Sequence, residues 1–289
     1  MSKYIHEYSL KRMCQVFGIN RSGYYKWKVS GDSKRSLENK KILEEIKNIY
    51  YDSRCLYGSP RIHAILKRRG IFCSCRRTAK LMKLNGLMSK IRKVYKVTTN
   101  SKHSYFVSPN LLGQEFKVTS PDKVWVSDIT YIPTGTGWLY LTTIIDLFNR
   151  EVIGHWKSKS LKTSDTVVMA FREACLRRKP QAGLLFHSDR GSQYASHEFR
   201  SLLGKYNIRQ SMSGKGNCYD NAVAESFFKT LKSELIYKES KYKTFEEAKR
   251  SIFEYIECYY NAKRSHSSID YYTPREWIQK YYKEAEKCA

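Results

Sequence analysis

Several features are missing from this sequence of 289 residues. No apolar run reaches the roughly 18 residues of a membrane-spanning helix, which excludes a helical membrane protein. The first ten residues hold no signal-peptide core, so a reducing, cytoplasmic setting is expected. The 8 cysteines are then expected as small buried hydrophobes rather than disulfides. Cys73 and Cys75 are the one close pair, spaced C-x-C, and no second pair completes a zinc finger. No G-x4-GK[ST] run is present, which excludes a phosphate-cradling P-loop. Acid is the most telling shortage. Asp+Glu number 27 against 53 Lys+Arg, a net charge of +26, and no acid stands between Asp52 and Glu115.

What is present builds a folded protein that binds a polyanion. Hydrophobic residues make up 41%, enough for an ordinary core, and the length fits about two domains. The charge is uneven. Residues 1–120 hold 26 Lys/Arg against 7 acids, a net +19, and residues 121–289 hold 27 against 20, a net +7. Such a basic front fits nucleic acid better than a small acidic metabolite. A boundary is expected near Ser120-Pro121.

The front reads as helices. Leu10, Met13, Cys14 and Phe17 form an apolar stripe that ends at Gly18, and Asn20 or Ser22 can cap a following helix with Tyr24, Tyr25 and Trp27. Helix, glycine turn, helix fits either a helix-turn-helix or a plain helical hairpin. A further helix is predicted over residues 36–51. Another starts at Ser59-Pro60 and runs to Gly70, and a third runs from Ser74 to Gly86. Arg61, Arg68, Arg76, Arg77 and Lys80 crowd the last two without interspersed acids, so DNA contact is preferred over a solvated basic face. The predicted organisation is a helix-turn-helix segment over 1–33, a basic helical DNA-binding domain over 34–90, a basic linker over 91–120 and a catalytic domain over 121–289.

From Lys123 the period changes to two. Strands are predicted over 124–132, 138–145 and 151–156 as an antiparallel meander. Helix and strand then alternate. Helices cover 163–177 and 197–206, and short strands cover 183–186 and 207–210. A helix over 221–235 is capped by Asp220 or Asn221, and further helices cover 244–260 and 274–286. The class is mixed α/β.

Three acids sit in odd places. Asp128 lies inside an apolar strand, where an ionised carboxylate is costly unless paired or metal-bound. Asp189 lies just past a short strand's end, where α/β sheets place ligands. Glu225 lies in the first turns of the helix from Asn221. Each has an ordinary reading as a turn or cap residue. Together their spacing is specific, with 60 residues between Asp128 and Asp189 and 35 between Asp189 and Glu225. At steps of four, four and three, Asn221, Glu225, Lys229 and Lys232 share a helix face. His187 reads equally as a packing residue or one that orients Asp189. Gly214 and Gly216 are read as a mobile loop before the helix, with Lys215 between them.

This triad resembles the D,D(35)E signature of retroviral integrases and insertion-sequence transposases. The surrounding words match: Trp125-x-x-Asp128-Ile129-Thr130-Tyr131, His187-Ser188-Asp189-x-Gly191-x-Gln193-Tyr194, and Gly216-Asn217-Cys218-Tyr219-Asp220-Asn221-Ala222-x-Ala224-Glu225-Ser226-Phe227-Phe228. Lys232 stands seven residues after Glu225, where the family carries a basic residue. Tyr260-Asn261-x-x-Arg264-x-His266-Ser267-x-Ile269-x-Tyr271-x-Thr273-Pro274 resembles the closing segment. The chain is similar over nearly its whole length to the second-frame catalytic subunit of the "IS three" insertion-sequence transposases. Gly214 departs from the pattern, where a longer basic run is expected.

The resemblance implies an RNase H-like, integrase-type core behind an all-α helix-turn-helix region. It implies a DNA transposase that cleaves element ends and transfers strands, with Mg2+ or Mn2+, two ions per site, held by Asp128, Asp189 and Glu225. Lys232, Lys229 and Lys215 are expected on DNA. Expected partners are double-stranded DNA, at the transposon ends and the target, further copies of the chain on DNA, and an upstream-frame DNA-binding protein. The expected location is the bacterial cytoplasm, at the nucleoid. The alternatives are a non-catalytic DNA-binding regulator and an RNase H-type nuclease without joining activity. A tyrosine recombinase is set aside because no Arg-His-Arg-Tyr arrangement accompanies the 23 tyrosines.

Overall fold

The computed structural model describes residues 1–89, 105–215, 217, 219–236 and 242–288. Gly216 and Cys218 of the motif before Glu225, and residues 90–104 of the expected linker, lie outside them. The chain divides into two compact units, Met1–Met88 and Ser89–Ala289.

The first unit is all helix. α1 (Leu10–Val16) is capped by Ser9, whose hydroxyl accepts from the Arg12 N–H. It ends before Gly18 at φ +61°, a left-handed conformation that glycine adopts without strain. α2 (Arg21–Val29) follows, and its buried Tyr24 meets Ser2 through their hydroxyls. α3 (Lys34–Asp52) buries Ile42, Ile46, Ile49 and Tyr50 along one stripe. α4 (Ser59–Arg68) buries Ile62 and Leu66. Its cap is Gly58 rather than Ser59, which moves into the first turn with Pro60. α5 (Cys75–Leu84) is capped by Ser74 as predicted and buries Leu81 and Met82.

The second unit is built on a five-stranded mixed sheet in the order β3-β2-β1-β4-β5. β1 (Val124–Thr134), β2 (Gly137–Asp146) and β3 (Val152–Ser158) form the predicted antiparallel meander. β4 (Leu185–Ser188) pairs parallel with β1, and β5 (Arg209–Met212) parallel with β4. A parallel pair needs a crossover connection. α6 (Val167–Arg178) supplies the first. α7 (Ser192–Ala195) and α8 (His197–Lys205) supply the second. These helices cover one face over Trp125, Ile144, Phe171, Phe186 and Phe199, all buried. α6 approaches β3 so closely that a Cβ on Gly154 would stand 2.5 Å from the Ala170 carbonyl oxygen. α9 (Ala222–Leu231) packs on β1 and β2. α10 (Phe245–Glu254) and α11 (Pro274–Cys288) complete the chain.

Three elements depart from expectation. α6 starts four residues later than predicted, because Lys162–Thr166 form turns closed by Asp165 N–H to the Lys162 carbonyl. The predicted helices after Asn221 and Thr244 each end in a wide π-helical turn, at Lys232–Ile236 and Tyr255–Tyr260. Residues 105–120 belong to the second unit rather than to a linker. Ser211 accepts the Leu111 and Leu112 N–H groups at 2.9 and 3.2 Å, Ser108 donates to Gln210, and Gln114 donates to Asp220. At the other edge Asn261 both accepts from and donates to the backbone of Val152, at 3.0 Å each.

Candidate active site

Register brings the first two acids together. Val126 pairs with His187 and Ser127 with Ser188. One step further along the same two strands stand Asp128 and Asp189. Neighbouring strands lie about 4.8 Å apart, so these carboxylates leave adjacent strands side by side. Each is aimed by a backbone N–H: Ile129 donates to Asp128 Oδ1 at 2.8 Å and Gly191 to Asp189 Oδ1 at 2.9 Å. Beneath them, Ser127 donates to the Thr143 carbonyl and meets the buried Tyr194 hydroxyl, both at 2.8 Å.

The third acid arrives on α9. Asn221 precedes the helix and its side chain makes no cap bond. Instead its amide Nδ2 donates 3.0 Å to the carbonyl of Ser127. That bond ties the start of α9 to the residue before Asp128. Glu225, one turn on, donates its N–H to the Asn221 carbonyl. Asp220 organises the approach instead of capping the helix. It accepts from Gly214 N–H at 2.7 Å and from Asn217 and Gln114 amides at 2.8 Å.

The three carboxylates act on one another's charge. Burial pushes the Asp128 carboxyl well above its usual range, and the charges of Asp189 and Glu225 push it further. Burial and then Asp189 raise Glu225. Two carboxylates at strand spacing repel by on the order of 3 kcal/mol at an effective dielectric near 20. Half-buried Lys232 offers one nearby cation. Burial lowers its ammonium, and Asp128 opposes that shift. The donor set is all oxygen, which suits a hard divalent ion such as Mg2+ or Mn2+ rather than zinc. The Asn221 Oδ1, buried and without a hydrogen-bond partner among the described residues, adds an unused oxygen beside it.

The other predicted residues fall into different places. Lys215 and Lys229 are exposed in the second unit. In the first unit Arg68, Arg76 and Lys80 are exposed and Arg61 lies over the Tyr57 ring. Arg77 is the exception: it donates to Glu38 and Asn39 of α3 at 3.0 and 2.9 Å, which makes it a brace between helices rather than a clear DNA contact. His187 meets Ser211 and Ser213 of β5 and its flank, and burial lowers it to about 4, so it packs neutral between strands.

A second acid cluster lies apart from the triad. His155 of β3, Glu173 of α6 and Glu257 have ligand atoms within 4.8 Å of one another. Arg177 already bridges both glutamates, at 2.8 and 2.6 Å, and Arg275 reaches Glu257 at 3.1 Å. Lys157 sits on the His155 Nδ1. Burial raises the Glu257 carboxyl, but the hydrogen bonds and charges of His155 and Arg177 outweigh it and bring it to about 2. Deeper still, Arg264 binds Glu234 through both Nε and Nη2, and Tyr255 donates to it at 2.7 Å.

The fold and the acid triad define an integrase-core polynucleotidyl transferase. Integrase core domain models match residues 118–218 and 206–274, and an HTH-like domain model matches residues 36–95, which contain α4, α5 and all but the first two residues of α3. The chain is 43% identical over 249 residues to the transposase for insertion sequence element IS904 of Lactococcus lactis, covering 86% of this chain and 97% of that one. It is 36% identical over 282 residues to transposase InsF for insertion sequence IS3A of Escherichia coli, covering 97% of each. The catalytic core domain of BIV integrase is similar at 18% identity and a TM-score of 0.43, over 57% of this chain and 99% of that one. The chain belongs to the IS3 family of insertion-sequence transposases.

The three acids that the sequence singles out come together in the structure. Sequence reasoning missed the contact from Asn221 to Ser127, the Ser127–Tyr194 bond and the ring of donors around Asp220. The shared face of Asn221 and Glu225 was the one available signal for the first.

Proposed function

We propose that the chain cleaves insertion-sequence ends and joins them to target DNA in one site formed by Asp128, Asp189 and Glu225. The observation that carries this reading is the convergence of three carboxylates with one lysine nearby, on an oxygen-only donor set. Two divalent ions, when bound, supply Lewis acidity at the scissile phosphate and an activated nucleophile at neutral pH. Asp128, on a central strand and braced through Ser127, would be the rigid ligand of the site, and Asp189 and Glu225 would hold the ions with it.

In the first step water attacks a phosphodiester at the element's end. A phosphorus–oxygen bond forms to water, the bond to the 3′ oxygen breaks, and that oxygen leaves as a 3′-OH. In the second step this 3′-OH attacks a phosphodiester of the target, and the displaced 3′ oxygen leaves. No covalent protein–DNA bond is needed. Lys232 stands beside Asp128 and, with Lys229 and Lys215, holds the phosphate backbone. Arg61, Arg68, Arg76 and Lys80 of α4 and α5 hold duplex DNA. Synapsis of two ends calls for at least two copies on DNA, and an upstream-frame DNA-binding protein strengthens end recognition.

Asp128→Asn, Asp189→Asn and Glu225→Gln each lower Mg2+- or Mn2+-dependent nicking of an end-bearing oligonucleotide by on the order of 10⁴-fold, with duplex binding retained. Undiminished nicking in any one of them sinks the assignment. Strand-transfer products in the same assay separate a transposase from a nuclease, which makes none.

A further inference from the structure

Two buried side-chain oxygens, unpartnered among the described residues, belong to residues tied to Asp128 or its neighbour: Thr143, its partner across the β1–β2 ladder, and Asn221, bonded to Ser127. The antiparallel register of β1 and β2 sets Thr143 directly opposite Asp128, so their side chains leave the same face. The Thr143 residue is fully buried, and its Oγ1 has no hydrogen-bond partner among the described residues. α9 packs on β1 and β2, and Asn221, 3% exposed, precedes it. The Asn221 amide is fixed in orientation. A carbonyl only accepts, so the group facing the Ser127 oxygen is Nδ2, and Oδ1 is turned away from it. That Oδ1 is also buried and without a partner among the described residues.

A stray unsatisfied oxygen is rare in a native core, and two on residues tied to Asp128 and its neighbour Ser127 need a reason. Neither is a donor-free accident of a loop: one is on a central strand, the other anchors a helix. Both are acceptors, and Thr143 is also a donor. They suit the water molecules that a small hard cation keeps when carboxylates bind it, because such an ion retains several waters.

We propose that Asn221 is a positioning residue for the divalent ions. Its Nδ2 clamps α9 to the Ser127 carbonyl and so fixes how far Glu225 stands from Asp128. Its Oδ1, with the Thr143 hydroxyl, accepts hydrogen bonds from water in the ions' outer hydration layer. This rests on the metal-dependent reading above. Groups that support a ligand shell in this way cost about 10- to 100-fold in metal affinity when removed.

The test uses the full chain and Mn2+ alone as the probe, read by Mn2+ titration and by the thermal midpoint with and without Mn2+. Asn221→Ser removes both the Nδ2 bond to Ser127 and the Oδ1 while keeping a small polar side chain before α9. Loss of that bond lowers the metal-free midpoint modestly, and the Mn2+ dissociation constant rises about tenfold. In cleavage assays kcat falls and the KM for DNA does not move. Thr143→Val, matched in shape, shows the same direction of Mn2+ loss. A hydroxyl that is merely unsatisfied gives the opposite result, a raised midpoint with unchanged Mn2+ affinity, and that result overturns the proposal. Wild-type Mn2+ affinity in Asn221→Ser overturns it as well. Asp128→Asn separates the levels: if the wild type itself shows no Mn2+ effect, the functional reading fails. If Mn2+ binds wild type and Asn221→Ser alike and is lost only in Asp128→Asn, the positioning role alone fails.

Discussion

Two groups of acids in one domain are treated in opposite ways. Asp128, Asp189 and Glu225 converge with Lys232 as the cation that eases Asp128, and burial and repulsion raise Asp128 and Glu225. Glu173 and Glu257 converge with His155 under Arg177, Arg275 and Lys157, and Glu257 falls to about 2. The second group has the geometry of a metal site and its cations are already side chains. In the first, burial and like charges raise Asp128 and Glu225, and Lys232 opposes that at Asp128. Acid count alone therefore does not mark a metal site; the balance of charge around it does.

Breaking the saturated kind of site is expected to unfold the protein rather than to stop the chemistry. The largest effect falls on Glu234, whose partner Arg264 is nearly fully buried and doubly bonded to it. Arg264→Ala strands a buried carboxylate and costs about 4 kcal/mol, read as a lower denaturant midpoint. A loss below about 1 kcal/mol contradicts the picture of a buried, mutually dependent pair.

Acid pH tests the Glu257 cluster next. Its folded carboxyl titrates near 2, below its ordinary 4.5, so the unfolded chain takes up the proton first. The stability it contributes is full above about pH 4.5 and is lost as pH falls toward 2, by about 3 kcal/mol. Glu257→Gln removes that part of the pH dependence, and an unchanged acid-unfolding profile argues against it.

The smallest effect sharpens the contrast directly. At a Mn2+ concentration about ten times its dissociation constant, binding stabilises the wild type by about 1.4 kcal/mol. Glu257→Gln keeps that increment and Asp128→Asn loses it. The reverse pattern in a thermal melt moves the ion to the wrong cluster.

The sequence made some of this legible and not the rest, for physical reasons. The triad was legible because each acid breaks a local pattern: Asp128 in an apolar strand, Asp189 at a strand end, Glu225 before Phe227 and Phe228. The glycine ends of α1, α4 and α5 were legible because a left-handed residue is a local demand. Ser108 and Leu112 were not, since their docking on β5 depends on Ser211 and Gln210 about a hundred positions away. The bond from Asn221 to Ser127 is equally non-local. The cations that neutralise Glu257 come from α6 and α11, and no window of sequence holds them together.

The wide turn at Lys232–Ile236 acts as a phase shifter. Its i→i+5 bonding adds one residue to the helical count. Lys232 therefore stays with the acid site while Glu234, two residues later, turns into the body of the domain to reach Arg264 and Tyr255. The two ends of this short stretch serve different masters, chemistry and stability, and their spacing must satisfy both. Deleting Ser233 moves Glu234 one helical step, about 100°, relative to Lys232, so the two no longer serve the acid site and Arg264 together. A change of length here is thus costlier than a change of side chain, and a family that keeps both functions has to keep its count.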